Sequence, residues 1–206
     1  MPNKQGHETS SVFVALVGRP NVGKSSLTNQ LVGEKVAIVT NKPQTTRSRI
    51  TGVITKGPVQ YVLMDTPGIH LPRNKLDARM TQTAAASVKD VDVTVMLFEP
   101  AGTFTESEQT MMDALRKSGP ALAVINKVDT LRGFEELEAR RQEIARLGIF
   151  EEVLTVSAKD GTGCDALLEK LKTYATPGPH YFDDDAFTDM PEKELVAELI
   201  REKLLL

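Results

Sequence analysis

A glycine-rich segment between a strand pattern and a helix start is the feature that most limits what this chain can fold into. The segment is Gly18-Arg-Pro-Asn-Val-Gly-Lys-Ser25, and it directly follows the apolar run 12–17. Its glycines let the backbone curl so that successive N–H groups and the helix N-terminus face one anion. Lys24 would add a charge near terminal phosphates, and the Ser25 hydroxyl would ligate a Mg²⁺ ion. The alternative is an ordinary loop that matches this pattern by chance, but a chance match seldom has the flanking strand and helix as well.

Size and composition fit one soluble α/β domain with a tail. The chain has 206 residues, 26% of them charged and 40% hydrophobic, as in ordinary globular proteins. A formal charge of −3 excludes a domain that is basic all over, so any RNA contact needs a local patch or a missing part. A single cysteine, Cys164, excludes an intrachain disulfide and a multi-cysteine metal site. The sequence has no run long enough to span a membrane and residues 1–11 lack a signal-peptide core, which predicts a cytoplasmic protein.

Apolar runs that alternate with helical patterns predict the fold class. The runs lie at 12–17, 61–64, 91–98, 121–125 and 153–156, and residues 49–55 form a hairpin partner across a Lys-Gly-Pro turn. Helices are predicted near 24–32, 75–89, 106–117, 134–147 and 164–174. The result is an α/β fold of the P-loop NTPase type, with six mostly parallel strands, one antiparallel edge strand and helices on both faces. Ligands of such sheets bind at the carboxyl ends of the strands.

The composition divides the chain into three parts. Residues 1–10 are predicted to be a flexible N-terminus, residues 11–175 a domain, and residues 176–206 a linker followed by a helix that starts at Pro191. This helix carries an apolar stripe with a spacing of four residues, which needs a partner surface. The sequence stops on three leucines without a capping glycine, so we expect a second domain beyond it.

Asp65-Thr-Pro-Gly68 follows the predicted strand 61–64. At that edge the Asp65 carboxylate would hold a water of the Mg²⁺ ion, and the N–H of Gly68 would face the γ-phosphate. Such a string is also a common turn, but its position after a strand favours the phosphate interpretation.

Two motifs after later strands predict the base that is bound. In Asn126-Lys-Val-Asp129, the Asp129 carboxylate would accept from N1–H and the N2 amine of guanine, whereas adenine has no such amine. Rejection of ATP by about a thousandfold follows from the donors that adenine lacks. Lys127 would lie along the base, and Asn126 would tie the neighbouring loops together. In Ser157-Ala-Lys159, a backbone N–H would face O6 of the base, and the stem of Lys159 would pack on the ring.

Residues 39–49 form a polar, turn-rich segment that is predicted to be a mobile loop. Thr45 or Thr46 would place a hydroxyl on the Mg²⁺ ion and order the loop when a triphosphate is bound. A plain solvated loop is the alternative.

Together these motifs resemble the Era family of bacterial GTPases, which belongs to the translation-factor-related (TrmE-Era-EngA-like) class. The resemblance rests on Gly-Arg-Pro-Asn-Val-Gly-Lys-Ser, Pro-Gln-Thr-Thr-Arg, Asp-Thr-Pro-Gly-Ile, Asn-Lys-Val-Asp and Ser-Ala-Lys, and on the tail. It spans residues 11 to 206 and implies that 11–175 is an Era-type GTPase domain. It also implies a C-terminal KH domain, which this sequence does not contain, and no Gly-x-x-Gly clamp of the KH type follows the linker.

The resemblance implies specific site residues. The nucleotide contacts would come from Gly18, Arg19, Pro20, Asn21, Val22, Gly23, Lys24, Ser25, Ser26, Asp65, Thr66, Pro67, Gly68, Ile69, Asn126, Lys127, Asp129, Ser157, Ala158 and Lys159. Catalysis would involve Lys24, Thr46, Gly68 and Asn21, and the Mg²⁺ ligands would be Ser25, Thr46 and Asp65. Asn21 would also ligate a K⁺ ion that supplies the electrostatic work of an arginine finger.

Ile69 stands where Ras-like switches carry a water-orienting glutamine. An aliphatic side chain cannot orient or deprotonate water, so intrinsic hydrolysis of GTP should be slow. His70 is a weaker candidate for a base, since an exposed loop histidine is seldom catalytic.

The predicted function is therefore a GTP-binding, slowly GTP-hydrolysing switch in assembly of the small ribosomal subunit. The alternative is a nucleotide-gated ribosome or RNA assembly module in which hydrolysis only resets binding. A third hypothesis is an ATPase or a nucleoside kinase, but the guanine preference of Asp129 disfavours it. The implied partners are GTP, GDP and small-subunit RNA, and the protein is expected to be a cytoplasmic monomer with peripheral association at the inner face of the cell membrane.

Overall fold

The computed structural model describes residues 9–39, 50–65, 91–131 and 133–205. The predicted helix over 75–89 and most of the loop 39–49 lie outside these ranges. So do Thr45, Thr46, Thr66, Pro67, Gly68, Ile69 and His70.

The described residues form one largely parallel sheet. Its strands are β1 (Ser10–Val17), β2 (Ile50–Lys56), β3 (Val59–Asp65), β4 (Val93–Phe98), β5 (Ala121–Ile125), β6 (Val153–Thr155) and β7 (Thr176–Pro177). The spatial order is β2-β3-β1-β4-β5-β6, with β7 beside β1. Strand β2 runs antiparallel to β3, whereas the pairs β3–β1, β1–β4, β4–β5 and β5–β6 are parallel. The predicted six-stranded P-loop architecture is confirmed.

Strand β7 is an addition that the sequence pattern did not predict. It has two residues, one of them Pro177, and it pairs antiparallel with the start of β1. So short a strand has no hydrophobic periodicity, and proline is typical of turns. The sequence therefore looks like a linker at this point.

Five helices are present among the described residues. They are α1 (Lys24–Val32), α2 (Glu106–Leu115), α3 (Phe134–Ala145), α4 (Cys164–Lys172) and α5 (Glu192–Leu205), and a 3₁₀ turn spans Val128–Thr130. A capping box starts α2, in which Thr105 accepts from the N–H of Glu108 and the Glu108 carboxylate accepts from the N–H of Thr105. Helices α2, α3 and α4 end slightly before their predicted limits because the chain continues in tighter turns, such as that from Tyr174 N–H to the Leu171 carbonyl.

Alternating strand residues divide the core between the two faces of the sheet. Val12, Val14 and Leu16 of β1 pack on one face with residues of α1 and α4. On the other face, Phe98 of β4 packs with residues of α2 and α3. Both faces of the sheet are therefore covered, as the continuous apolar strands predict.

The segment after α4 crosses the sheet and is held by a buried glutamine. Gln60 of β3 is 0% exposed. Its Oε1 accepts from the N–H groups of Tyr181 and Phe182 at 2.8 and 3.0 Å, and its Nε2 donates to the Phe182 carbonyl at 2.9 Å. The N–H of Val53 in β2 donates to the Phe187 carbonyl at 3.0 Å. These contacts lead the chain to α5. Among the described helices, α5 included, we find none with the length and apolar character to cross a membrane.

Candidate functional site

The glycine-rich loop runs from the end of β1 to the start of α1. Gly18 has φ +144° and Gly23 has φ +103°, which are values that L side chains rarely adopt. Asn21 between them also has a positive φ of 62°. A Cβ atom on Gly23 would lie 2.2 Å from Nδ2 of Asn126, so a side chain is excluded there by contact as well as by conformation. The loop is thus a tight curve that opens onto a helix N-terminus, which is the geometry of an anion site.

Lys24 begins α1 and its side chain turns back over the loop. The residue is buried, and its ammonium donates to the carbonyls of Gly18 and Arg19, at 3.0 Å in each case. These contacts hold the positive charge inside the curve. Ser25 and Ser26 follow in the first helical turn and are partly buried. The main-chain N–H groups of such a turn point out of the helix end toward a ligand.

Asn126 connects three segments at the carboxyl edge of the sheet. It follows β5 and is 1% exposed. Its Nδ2 donates to the Val22 carbonyl at 2.9 Å, and its Oδ1 accepts from the N–H of Ala158 at 3.1 Å. One side chain therefore joins the loop after β1 to the loops after β5 and β6. These hydrogen bonds confirm the expectation that Asn126 ties neighbouring loops together.

Lys127 and Arg19 meet at the carboxylate of Glu99, which belongs to none of the sequence motifs. Lys127 has φ +63°, and its ammonium donates to the Asn21 carbonyl and to Oε1 of Glu99, both at 2.7 Å. The Arg19 guanidinium pairs with the other oxygen of the same carboxylate. Glu99 directly follows the buried strand β4, so its strand-end position is the one signal for it in the sequence, although a glutamate there predicts no ligand by itself.

The electrostatics around Glu99 favour its charged form. Partial burial by itself raises the pKa of this carboxyl, but the hydrogen bond and charge of Lys127 and those of Arg19 outweigh it and lower the pKa below its ordinary value. Glu99 therefore remains an anion that holds both cations at neutral pH. Its backbone carbonyl also accepts from Nε of Arg140 at 3.3 Å.

Asp129 lies in the 3₁₀ turn after Lys127. Its Oδ1 accepts from the Ser157 hydroxyl at 2.9 Å, and its Oδ2 lies 4.0 Å from the ammonium of Lys159. Ser157 is buried, and its hydroxyl also accepts from the N–H of Asp160 at 3.3 Å. The loops after β5 and β6 are thus fixed to each other beside the Asp129 carboxylate.

Asp65 ends β3 at the same edge of the sheet. Its Cα pairs with that of Leu16 in β1, shortly before the glycine-rich loop begins at Gly18. Serine hydroxyl and aspartate carboxylate oxygens are the hard ligands that Mg²⁺ prefers. With the cradle formed by Gly18 and Gly23, the hydroxyl of Ser25 has the donor chemistry that fits a phosphate-bound Mg²⁺ ion. Among the residues for which the structure is given, no group of three His, Cys, Asp or Glu forms a separate metal site.

A cleft of about 460 Å³ adjoins this edge between α1, the segment after it and the loop after β6. Its wall includes Ser26 and Ala158 from the sequence-predicted set. The other lining residues are Asn29, Gln30, Gly33, Glu34, Lys35 and Val39. None of these residues belongs to a strand-end motif, so the motifs in the sequence do not predict them.

The structure therefore brings together most of the predicted site. The residues for which it gives positions are Gly18, Arg19, Pro20, Asn21, Val22, Gly23, Lys24, Ser25, Ser26, Asn126, Lys127, Asp129, Ser157, Ala158 and Lys159, with Asp65 placed by its backbone. Thr46 and residues 66–69 lie outside the described part of the chain.

Comparison with known proteins points to one family. Residues 13–127 match the family described as 50S ribosome-binding GTPase. The chain is 43% identical over 196 residues to the GTPase Era of Clostridioides difficile and 45% identical over 199 residues to that of Lactobacillus helveticus. These alignments cover 95% and 96% of this chain and 66% and 65% of the relatives, so the chain spans about two thirds of their length.

Solved structures agree with the sequence relatives. A crystal structure of Era in complex with MgGDPNP and nucleotides 1506–1542 of 16S ribosomal RNA superposes with a TM-score of 0.89. It shares 32% sequence identity, and the match covers 95% of this chain and 67% of the other. An Aquifex aeolicus Era variant bound to GDP and AlF4⁻ gives a TM-score of 0.88 at 32% identity. From its motifs, its sheet and these matches, the chain belongs to the Era family of GTPases.

Proposed function

We propose that this chain binds GTP and GDP with Mg²⁺ and hydrolyses GTP slowly, as a molecular switch. The observation that carries the proposal is the junction at Asn126, which joins the glycine-rich loop to the loops after β5 and β6. One rigid edge then presents a phosphate cradle and a carboxylate for a base. A solved relative carries MgGDPNP, which is a GTP analogue with its metal.

Guanine selection is assigned to Asp129. A carboxylate accepts two hydrogen bonds side by side, which matches the N1–H and N2 amine of guanine, whereas adenine presents an acceptor at N1. Ser157 and Lys159 contact this carboxylate and keep it in one orientation. Because a bound adenine would cover this carboxylate without giving it donors, the preference for guanine over adenine should be large.

The phosphates are assigned to the glycine-rich loop and to Lys24. The main-chain N–H groups of the loop and the Lys24 ammonium would bind the β- and γ-phosphates, with Ser25, Asp65 and Thr46 as the ligands of Mg²⁺. A Mg²⁺ ion held by these residues would supply charge neutralisation at the phosphate oxygens. The N–H of Gly68 would orient the γ-phosphate, and Ile69 supplies no polar group for the attacking water. Slow turnover follows.

The base assignment is tested by nucleotide affinities of the chain and its Asp129→Asn variant. The unaltered chain should bind GTP at least about a thousandfold more tightly than ATP. An amide at residue 129 offers a donor that matches the 2-oxo group of xanthine, so the variant should lose GTP affinity and gain affinity for xanthosine triphosphate. Asp113→Asn, which changes an exposed carboxylate on α2, is the matched control. Equal affinity of the unaltered chain for ATP and GTP would overturn the assignment.

A K⁺ ion held by Asn21 is proposed as the second cation. Turnover of GTP should be faster in potassium than in sodium, and Asn21→Ala should remove the difference while GDP affinity changes less. The contact of the Asn21 carbonyl with Lys127 uses only the backbone and is available to the variant, in which alanine must adopt φ +62° at a cost of about 1 kcal/mol. Equal turnover in both salts would exclude this ion.

For the whole protein we propose a role in small-subunit ribosome assembly through contacts with its RNA. A relative of known structure is in complex with 16S ribosomal RNA. Cytoplasmic location, a monomeric state and peripheral membrane association belong to the same proposal. The second candidate is an assembly module that acts by docking through its GTP-bound surface, with hydrolysis only resetting the binding. Ile69 favours this candidate because an aliphatic side chain at that position makes hydrolysis slow. Turnover with and without ribosomal particles separates the two, since GTP-dependent docking with unaltered turnover supports the second.

A further inference from the structure

A buried carboxylate of the C-terminal helix reaches the segment that follows α1. Glu202 of α5 is 2% exposed. Its Oε1 accepts from the N–H of Val39 at 3.0 Å, and its Oε2 pairs with the ammonium of Lys35. A buried charge is stable only when partners satisfy it, so these two contacts fix the position of the carboxylate and of both partners.

Both partners of Glu202 line the 460 Å³ cleft beside the phosphate cradle. The middle of the same segment is held from α1, where Oδ1 of Asn29 accepts from the N–H groups of Val36 and Ala37 at 3.0 and 2.9 Å. One wall of the cleft therefore has two anchors. The first belongs to α1, which begins at the cradle, and the second is Glu202 of α5, which lies 163 residues beyond Val39 in the chain.

We propose that Glu202 is a positioning residue of the nucleotide cleft, through which helix α5 sets the rate at which bound guanine nucleotide leaves. The proposal rests on the function proposed above. It assigns to the C-terminal helix a role in nucleotide affinity, since loss of the Glu202 contacts frees the ends of a wall that Asn29 holds only in its middle. Coupling of this kind is reciprocal, so bound nucleotide must in turn stabilise α5.

Dissociation of a fluorescent GDP analogue from the full chain tests the first half of the proposal. Glu202→Gln keeps an acceptor for Val39 but loses the charge that faces Lys35, and Glu202→Ala loses both contacts. We expect dissociation to be about threefold faster in the first variant and about tenfold faster in the second. Glu194→Gln makes the same chemical change at an exposed position of α5 and should leave the rate unchanged.

A double-mutant cycle with Lys35→Met distinguishes a specific effect of Glu202 on the cleft from a general loss of stability. Lys35 is 48% exposed in its side chain, so this variant keeps the core intact. If Glu202 acts through Lys35, the two substitutions together should accelerate dissociation less than the product of their separate effects. Independent effects that multiply would overturn this route.

Hydrogen exchange of α5 tests the reciprocal half. Saturating GDP should slow exchange of the backbone amides of α5 in the unaltered chain and in Glu194→Gln, and it should do so much less in Glu202→Ala. A chain that binds GDP but shows equal dissociation rates and unchanged protection of α5 refutes the inference and leaves the proposed function intact. A chain that binds no guanine nucleotide refutes the proposed function instead.

Discussion

The close approach of Gly23 to Asn126 leads to a quantitative prediction for the pair Gly23→Ala and Asn126→Ala. An added Cβ at residue 23 would lie 2.2 Å from Nδ2 of Asn126. That amide is held by hydrogen bonds to the Val22 carbonyl and from the Ala158 N–H, so it cannot move away without breaking them. The alanine would also have to adopt φ +103°.

The magnitudes follow from these contacts. A side chain at this φ costs about 1–2 kcal/mol, and loss of two buried hydrogen bonds costs about 1 kcal/mol each. Gly23→Ala should thus lower the free energy of unfolding by about 3–4 kcal/mol. Asn126→Ala should lower it by about 2–4 kcal/mol, because two main-chain groups lose their partner. In the Asn126→Ala background, Gly23→Ala should lower the free energy of unfolding only by the cost of its positive φ. The coupling energy between the two substitutions should therefore be about 2 kcal/mol.

Urea unfolding of the nucleotide-free single and double variants measures this coupling. Gly33→Ala is the matched control, since Gly33 has φ +81° but nothing within 4 Å of an added Cβ. Its effect should be about 1–2 kcal/mol and should add to that of Asn126→Ala. If the effects of Gly23→Ala and Asn126→Ala add to within about 0.5 kcal/mol, Asn126 does not pack against the loop as described.

Three further predictions concern single side chains. Glu99→Gln should weaken GTP and GDP binding by about three- to tenfold in a fluorescence titration, because two cations lose their shared anion, whereas Glu138→Gln on α3 should change nothing. The pKa of His180, measured by NMR, should lie above its ordinary 6.5, since the hydrogen bond to Asp184 favours the charged ring, and Asp184→Asn should lower it. Cys164 is 8% exposed and burial raises the pKa of its thiol, so a disulfide reagent should label it after unfolding, and rapid labelling of the native chain would contradict its placement.

Local sequence patterns were enough to predict the frame of the site. The glycine-rich segment begins α1 at Lys24 as predicted, because its glycines and the following helix residues are adjacent in sequence. Asn126 and Ser157 follow buried strands, and parallel strands that are paired in register place such residues at one edge. The order of the strands was therefore enough to predict that Asn126 and Ser157 lie close together.

The role of Glu99 could not be predicted in the same way. It too follows a buried strand, but a glutamate after a strand predicts no ligand by itself. Its importance arises from two cations on other loops, Arg19 and Lys127, which meet at one carboxylate only in the folded chain. A side-chain contact between residues 80 positions apart leaves no periodic signal in the sequence.

The C-terminal segment was predicted as a linker and a helix, but its attachment could not be predicted. Gln60 is a polar residue in a strand, and its three hydrogen bonds to residues 181 and 182, with a fourth to the Thr55 hydroxyl, explain why it is fully buried. Likewise Glu202 is one of several glutamates in α5, and its partners lie more than 160 residues away. Charge and polarity in a helix pattern normally indicate a solvated face.

Two ionic contacts of this segment respond to pH in opposite directions. For His180, the hydrogen bond to Asp184 raises the pKa above 6.5, so its contribution is complete below that pH and is lost as the pH rises through the higher folded value. For Glu202, burial raises the pKa, but the hydrogen bonds from Lys35 and Val39 and the nearby charge of Lys35 lower it below 4.5 overall. Its contribution is complete above 4.5 and is lost as the pH falls through the lower folded value.

Both contacts are therefore complete between about pH 4.5 and 6.5. The hydrogen bonds of Gln60 involve no titrating group and persist across the range. At neutral pH the Glu202 contact is fully formed whatever the charge of His180, and it is the one that touches the cleft. Control of nucleotide release by α5 should consequently be insensitive to pH near neutrality and should weaken only in acid, where Glu202 takes up a proton.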